Sequence, residues 1–482
     1  MKKVIPSLHI ITAVVLTQCC SCTYDKLEPV FDSGYPKNVE NIIITKCAVT
    51  GCHTDNDKDA AAGLSFETWN KMFLGGRGGA VVIPYRTDFS TLIYYTNTYP
   101  AFGSIRLEPV MPFGAEKLSY DEVEILHNWI RDGATDNKGF VKFSDYENKS
   151  KFYICNRGCD VVTVMDAESG LAMRYIDVGI RADIEEPVMI KVSPDKLFWY
   201  VIFYNGTIIQ KFRTSDNSYV GQVSLGVGFW TSICITNDSR KAFVTDAQPN
   251  GKIIYVDLEN MQTITTWQSG LFNPYDSFED NSSSTLYVAP KQGNYIYKIN
   301  ATNPLSPVIS EISLDTGMPI DYSSSLDPSS ILLSADETKY FVTCQMSSEL
   351  RIMKTSNDSL LAVIPLASNP ARMYISSSTP YLFVSCMGAP NTSHVSAVYV
   401  INYLTNSYVT DLFAGNQSRG IAMDEAGKKL YVANRNVEGG SAHHAPVCGG
   451  KNGYITVIDV NTLQLIADYK TEVSVEPFDI TK

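Results

Sequence analysis

From residue 150 onward the chain repeats itself about every forty residues, and no other feature narrows its possible folds so far. The unit is a short strand ending near Ser-x-Asp, a strand of the type Lys-x-Tyr-Val, a turn, and a strand of the type Ile-Tyr-Val-Asp. Copies run from Val188 to Gly226, Trp230 to Gly270, Asn273 to Asp315, Pro328 to Asn369, Pro370 to Ser418 and Gly420 to Thr471. Short runs of Val, Ile, Tyr and Phe alternate in them with Asn, Asp, Gly and Ser turns, the texture of stacked β-sheets. A seventh copy is split between the ends of the region. Phe152 to Asn156 and Val161 to Gly179 supply its first part, and Pro477-Phe478-Asp479-Ile480 supplies the last strand. A last strand that completes the first sheet would close a ring and remove exposed sheet edges. The expectation is an all-β, seven-bladed β-propeller over residues 141–482.

A chain of 482 residues exceeds one ordinary domain, and the first 140 residues have a different texture. Lys2-Lys3 followed by the apolar run Val4 to Leu16 reads as an export signal, too short to span a membrane as a helix. Leu16-Thr17-Gln18-Cys19 resembles a bacterial lipoprotein cleavage site, with Gln18 where a small residue is usual. This makes residues 1–18 the signal peptide and Cys19 the lipidated residue, with Cys20 as the alternative. Residues 19–37, rich in Asp, Glu and Pro, form a tether. The expected location is the outer membrane, on its periplasmic or cell-surface side, with acyl chains as the only membrane attachment. A net charge of −12 excludes the basic surface that a nucleic-acid partner requires.

Cys47-Ala48-Val49-Thr50-Gly51-Cys52-His53 stands next. Two thiols can add to the vinyl groups of a haem, and a histidine directly after the second can reach its iron. Four residues separate the cysteines where two are usual. A Cys47–Cys52 disulfide, or a loop with an incidental histidine, is the other reading. Downstream, Met111-Pro112 offers a thioether as second axial ligand. Ser119 and Glu122 then form a capping box. Val123, Leu126 and Ile130 share a helix face, and Gly133 is placed to end the helix. His127, on or near that face, is a rival ligand.

As an ordered set these features resemble the planctomycete-type cytochrome c domains. The set comprises the C…CH, Gly63-Leu64-Ser65-Phe66, Gly75-Gly76-Arg77-Gly78-Gly79, Val82-Ile83-Pro84, Met111-Pro112 and Trp129-Ile130-Arg131-Asp132-Gly133-Ala134. The resemblance implies a small all-α haem domain over residues 38–140. It implies one covalent haem c on Cys47 and Cys52, with His53 and Met111 on the iron. The repeat region resembles the YVTN-type propellers of surface-layer-like bacterial proteins and, in fold only, the propeller of cytochrome cd1 nitrite reductases.

In such propellers the turn after the Tyr-Val strand shares a face with the linkers between blades. That face would gather Cys155 to Cys159, Asp246 to Gln248, Lys291-Gln292, Gln345-Met346, Cys386-Met387 and Asn434 to Asn436. Its longest insertion carries His443-His444-Ala445-Pro446-Val447-Cys448, whose two imidazoles and thiol suit a soft or borderline metal. A solvated loop, or a disulfide from Cys448 to Cys155, Cys159 or Cys386, is the other reading. Cys155 and Cys159 could also pair with each other.

Three functions follow. The first is a lipid-anchored cytochrome passing single electrons, with the propeller as docking or substrate-binding platform for a redox partner protein or small-molecule substrate. The second is a haem-dependent oxidoreductase with a propeller site near His443, His444 and Cys448. The third is a non-redox surface binding protein.

Overall fold

The computed structural model describes residues 32–144, 149–367, 369–388, 396–435, 453–466 and 476–482. Within them the repeat folds into seven four-stranded antiparallel sheets, a seven-bladed β-propeller. The innermost strands are Pro187–Val192, Trp230–Ile235, Pro274–Glu279, Pro328–Leu333, Pro370–Ile375, Ser418–Asp424 and Pro477–Thr481, each packed on the next around the ring. The split blade forms as expected. The final strand pairs with Lys151–Asn156 in the register Tyr153↔Thr481, Ile154↔Ile480 and Cys155↔Asp479.

The Ser-x-Asp signature works as a turn lock. Ser193 Oγ accepts the Phe198 N–H and donates to Asp195, while the Ser193 N–H donates to the Phe198 carbonyl. Thr236 with Asp238 and Ser334 with Asp336 repeat this arrangement. Short polar side chains that satisfy backbone groups locally are what turns favour. The second strand of each blade is nearly all buried, because it meets sheets on both faces. Hence those strands read as continuous apolar runs rather than alternating ones.

Residues 32–144 are mostly loop around four short α-helices: α1 (Lys37–Lys46), α2 (Trp69–Met72), α3 (Thr91–Thr96) and α4 (Tyr120–Arg131). A distinct all-α domain is therefore not what this segment displays. Gly75, Gly76, Gly78 and Gly79 with Pro84, Pro100, Pro109 and Pro112 interrupt it too often for long helices. Where no breaker falls, the sequence signals hold. Ser119 and Glu122 make both bonds of the capping box on α4, which buries Val123, Leu126, Trp129 and Ile130. Gly133 follows the helix end at φ +107°. Helices α1 and α4 pack together, and Lys46 reaches Glu122 at 2.8 Å across them.

The segment lies against the outer strand of the first blade, Ala172–Asp177. Phe89 stacks on Tyr175 with ring centroids 4.2 Å apart. Arg86 donates to the Tyr175 carbonyl and to Asp177, each at 2.9 Å. Ile83 joins the apolar cluster of blade residues that includes Phe152 and Tyr431. No helix among the described residues is long and apolar enough to cross a membrane.

Candidate functional site

The Cys47–His53 loop is built by the end of α1. The Cys47 N–H donates to the Ile43 carbonyl at 3.0 Å, closing the helix. The chain then reverses: Cys52 N–H bonds the Val49 carbonyl at 2.9 Å and His53 N–H the Cys47 carbonyl at 3.2 Å. Gly51, at φ +83°, takes the left-handed conformation this reversal needs, and its N–H is held by Asp57. Two sulfurs and an imidazole thereby share one short loop.

Both cysteines are free thiols, so the disulfide alternative is not formed. Burial, with Cys52 close by, pushes the Cys47 thiol up to about 12. It is protonated at neutral pH. His53 packs on Phe66 with ring centroids 4.7 Å apart, and its Nδ1 is buried with no hydrogen-bond partner. Burial lowers its pKa, and the opposing Leu64 backbone does not reverse this, so the imidazole is neutral and able to ligate. Met111 is half-buried and anchored by its N–H to the Tyr95 carbonyl at 2.7 Å. His127 is half-buried on α4, its ring 5.3 Å from Phe102. Among the described residues, no group of three or more His, Cys, Asp or Glu side chains is placed to hold a metal ion. His443, His444 and Cys448 lie outside the described residues, as does Cys19.

The propeller offers a second constellation. The turns expected on the linker face do gather there. The backbone N–H groups of Arg157, Ala247, Lys291, Gln345, Met387 and Arg435 each bond the carbonyl just before the inner strand of their own blade. Arg157 pairs with Glu186 at 2.6 Å, and Arg435 pairs with Glu476. The Phe478 ring lies 3.6 Å from the Arg419 guanidinium, 4.9 Å from Arg157 and 5.0 Å from Arg435. The Cys155–Cys159 bridge does not form: Cys155 is a free thiol and wholly buried, whereas Cys159 is disulfide-bonded. Cys155 lies inside a strand paired on both sides, which fixes its side chain in the core.

The third residue of each inner strand forms a ring inside the channel: Met189, Ser232, Asp276, Ser330, Arg372, Gly420 and Asp479. Glycine is required at 420, where a Cβ would meet Asp479 Cα at 2.6 Å. Asp276 accepts from Ser232 at 2.9 Å and Ser330 at 2.7 Å and lies 3.4 Å from Arg372. One step earlier on two of these strands stand Tyr275 and Arg419. Burial raises the Tyr275 pKa, but Arg419, Lys291 and Arg372 outweigh it and lower the phenol below its ordinary value. Burial, with Arg372 adding repulsion, lowers Arg419 to about 10. Sequence reasoning singled out none of these residues. The signal was available in the place two residues after each blade-opening proline, at 187, 274, 328, 370 and 477.

No protein-family model and no curated protein matches the chain. Solved structures do. The periplasmic gluconolactonase PpgL of Pseudomonas aeruginosa is similar over 68% of this chain and 98% of its own, at 15% identity and a TM-score of 0.52. A functionally unknown protein from Desulfotomaculum acetoxidans DSM 771 is similar over 68% and 99%, at 14% identity and a TM-score of 0.50. At these identities the likeness shows the propeller fold alone.

Proposed function

We propose that the protein is an exported, lipid-anchored c-type cytochrome. Residues 38–140 carry one covalent haem, and the propeller, residues 141–482, is the docking or substrate-binding platform. Cys19 carries the acyl chains in this reading. The observation that supports it most is the pair of free thiols beside a half-buried, neutral imidazole whose buried Nδ1 has no partner. A buried polar atom left unpaired costs about 1–3 kcal/mol, so such atoms call for a ligand or a role. The donor set fits the group: two thiols for the vinyl carbons, one imidazole and, at Met111, one thioether.

When bound, haem c supplies one-electron redox chemistry, and a methionine ligand favours electron transfer over ligand activation. The chain's own residues do the positioning. The C-terminus of α1 and Gly51 fix the loop, Phe66 sets the plane of His53, and the Tyr95 carbonyl holds the backbone of Met111. The four-residue spacer places the thiols on a wider turn than the usual motif, which bears on the maturation machinery able to load it.

The full chain, exported in a host with haem-maturation machinery, should keep haem after denaturation and show a reduced c-type absorption spectrum. A Cys47→Ala, Cys52→Ala double variant should release it. Met111→Ala should change the axial-ligand band while leaving attachment intact. Colourless protein from machinery that accepts the spacer, or haem still bound in the double variant, would sink the proposal.

A further inference from the structure

The channel has a second end, away from the blade linkers. A cavity of ≈ 220 Å³ starts at Asp276, Ser330 and Arg372 and runs past Lys191 and Met373. It abuts a funnel of ≈ 840 Å³ that shares Lys191, Val192 and Met373 with it. The funnel has the size of a metabolite site.

The open hydrogen-bonding capacity in these walls is cationic. Arg372 is 6% exposed, and its Nε and Nη1 are buried without a hydrogen-bond partner. Asp276 and Asp479, at 3.4 and 4.0 Å, balance its charge without bonding it. Both Asp276 oxygens are engaged elsewhere, by Ser232, Ser330 and the Ile331 N–H, and Asp479 Oδ2 accepts the Ile190 N–H. Lys191 lines both spaces, and no hydrogen bond or ion pair engages its ammonium among the described residues. Among the other wall charges, Lys196 is exposed with no hydrogen bond or ion pair to its ammonium among the described residues, Lys149 lies 4.0 Å from Glu168, and the rest are occupied. Lys151 is bonded to the Thr214 and Ser215 carbonyls, and Lys482 to Asp424. Glu425 is saturated by Tyr374, Ser376, Ser377 and Ser378. Water alone would fill the cavity but bring no counter-charge to Lys191. Met373, Tyr374, Ile421 and Met423 supply an apolar wall beyond the two cations.

We propose that this end of the channel binds an organic carboxylate, its carboxylate between Lys191 and Arg372 and its apolar body along Met373, Tyr374 and Met423. The site is independent of the haem reading and would stand if that reading failed.

Isothermal titration of the full chain with benzoate, phenylacetate and hexanoate tests it, with benzamide and inorganic phosphate as controls. At least one carboxylate should bind, and benzamide should not. Lys191→Gln should weaken that binding by about tenfold, the worth of one charge-assisted hydrogen bond. Lys191 is only half-buried, so this variant keeps the test alive should Arg372→Gln fail to fold. Added salt should weaken binding, because part of the attraction is Coulombic. Three outcomes overturn the proposal: no binding of any of the three carboxylates at millimolar concentration, equal binding of phosphate, or Lys191→Gln without effect.

Discussion

Glu279 ends an inner strand with 7% of its surface exposed. Burial raises its carboxyl to about 7, against an opposing hydrogen bond from Ser283. The folded protein thus keeps a proton that the unfolded chain releases near 4.5. Stability from this group is therefore full below about 4.5 and falls as pH rises to about 7. Glu279→Gln cannot ionise, so it should flatten that slope and be the more stable protein at about pH 8 by on the order of 2 kcal/mol. Denaturant midpoints on both sides of the window read this, and parallel pH profiles for the two proteins would refute it. At this scale the sequence is legible only where chemistry is contiguous. Cys47, Cys52 and His53 are found because one loop carries all three. Asp276, Arg372 and Asp479 come from three different blades, and each alone is an ordinary polar residue in a strand.

Among the elements, Pro477–Thr481 carries the most for its length. It is the inner strand of the first blade and packs on those of the second and seventh. Phe478 and Ile480 are each under 5% exposed, and the Phe478 ring meets three guanidinium groups. Phe478→Ala should cost about 3–5 kcal/mol through the cavity it leaves, more than an average core truncation would suggest if the arginines also lose their ring. Equilibrium unfolding measures it; a cost below about 1 kcal/mol would show that this strand does not hold the ring. The strand was readable because a proline opens it, as in four other blades, and the apolar Phe478 and Ile480 follow at alternate places. Helix α4 was readable through its cap and its terminal glycine. The stretch between residues 54 and 118 was not, since closely spaced glycines and prolines erase periodicity and leave its path to tertiary contacts.

At the scale of the molecule, the segment before residue 144 meets the propeller through Ile83, Tyr85, Lys142 and Phe143 as well as through Arg86 and Phe89. Arg86 bridges to the Tyr175 carbonyl and Asp177, and Phe89 stacks on Tyr175. The joint variant Arg86→Ala, Phe89→Ala should loosen this joint without unfolding either side. Small-angle scattering should show a larger radius of gyration, with the propeller's thermal transition in place; an unchanged radius would mean that other contacts set the arrangement. The same blade has a consequence in time. Its innermost strand, Pro477–Thr481, follows every other blade in the chain, so the first blade to be synthesised is the last to be finished. The front segment rests on that blade's outer strand. A chain stopped before residue 477 would lack both the closed ring and a settled seat for the segment at its front, and order of manufacture thereby ties the seating of that segment to the closing of the propeller.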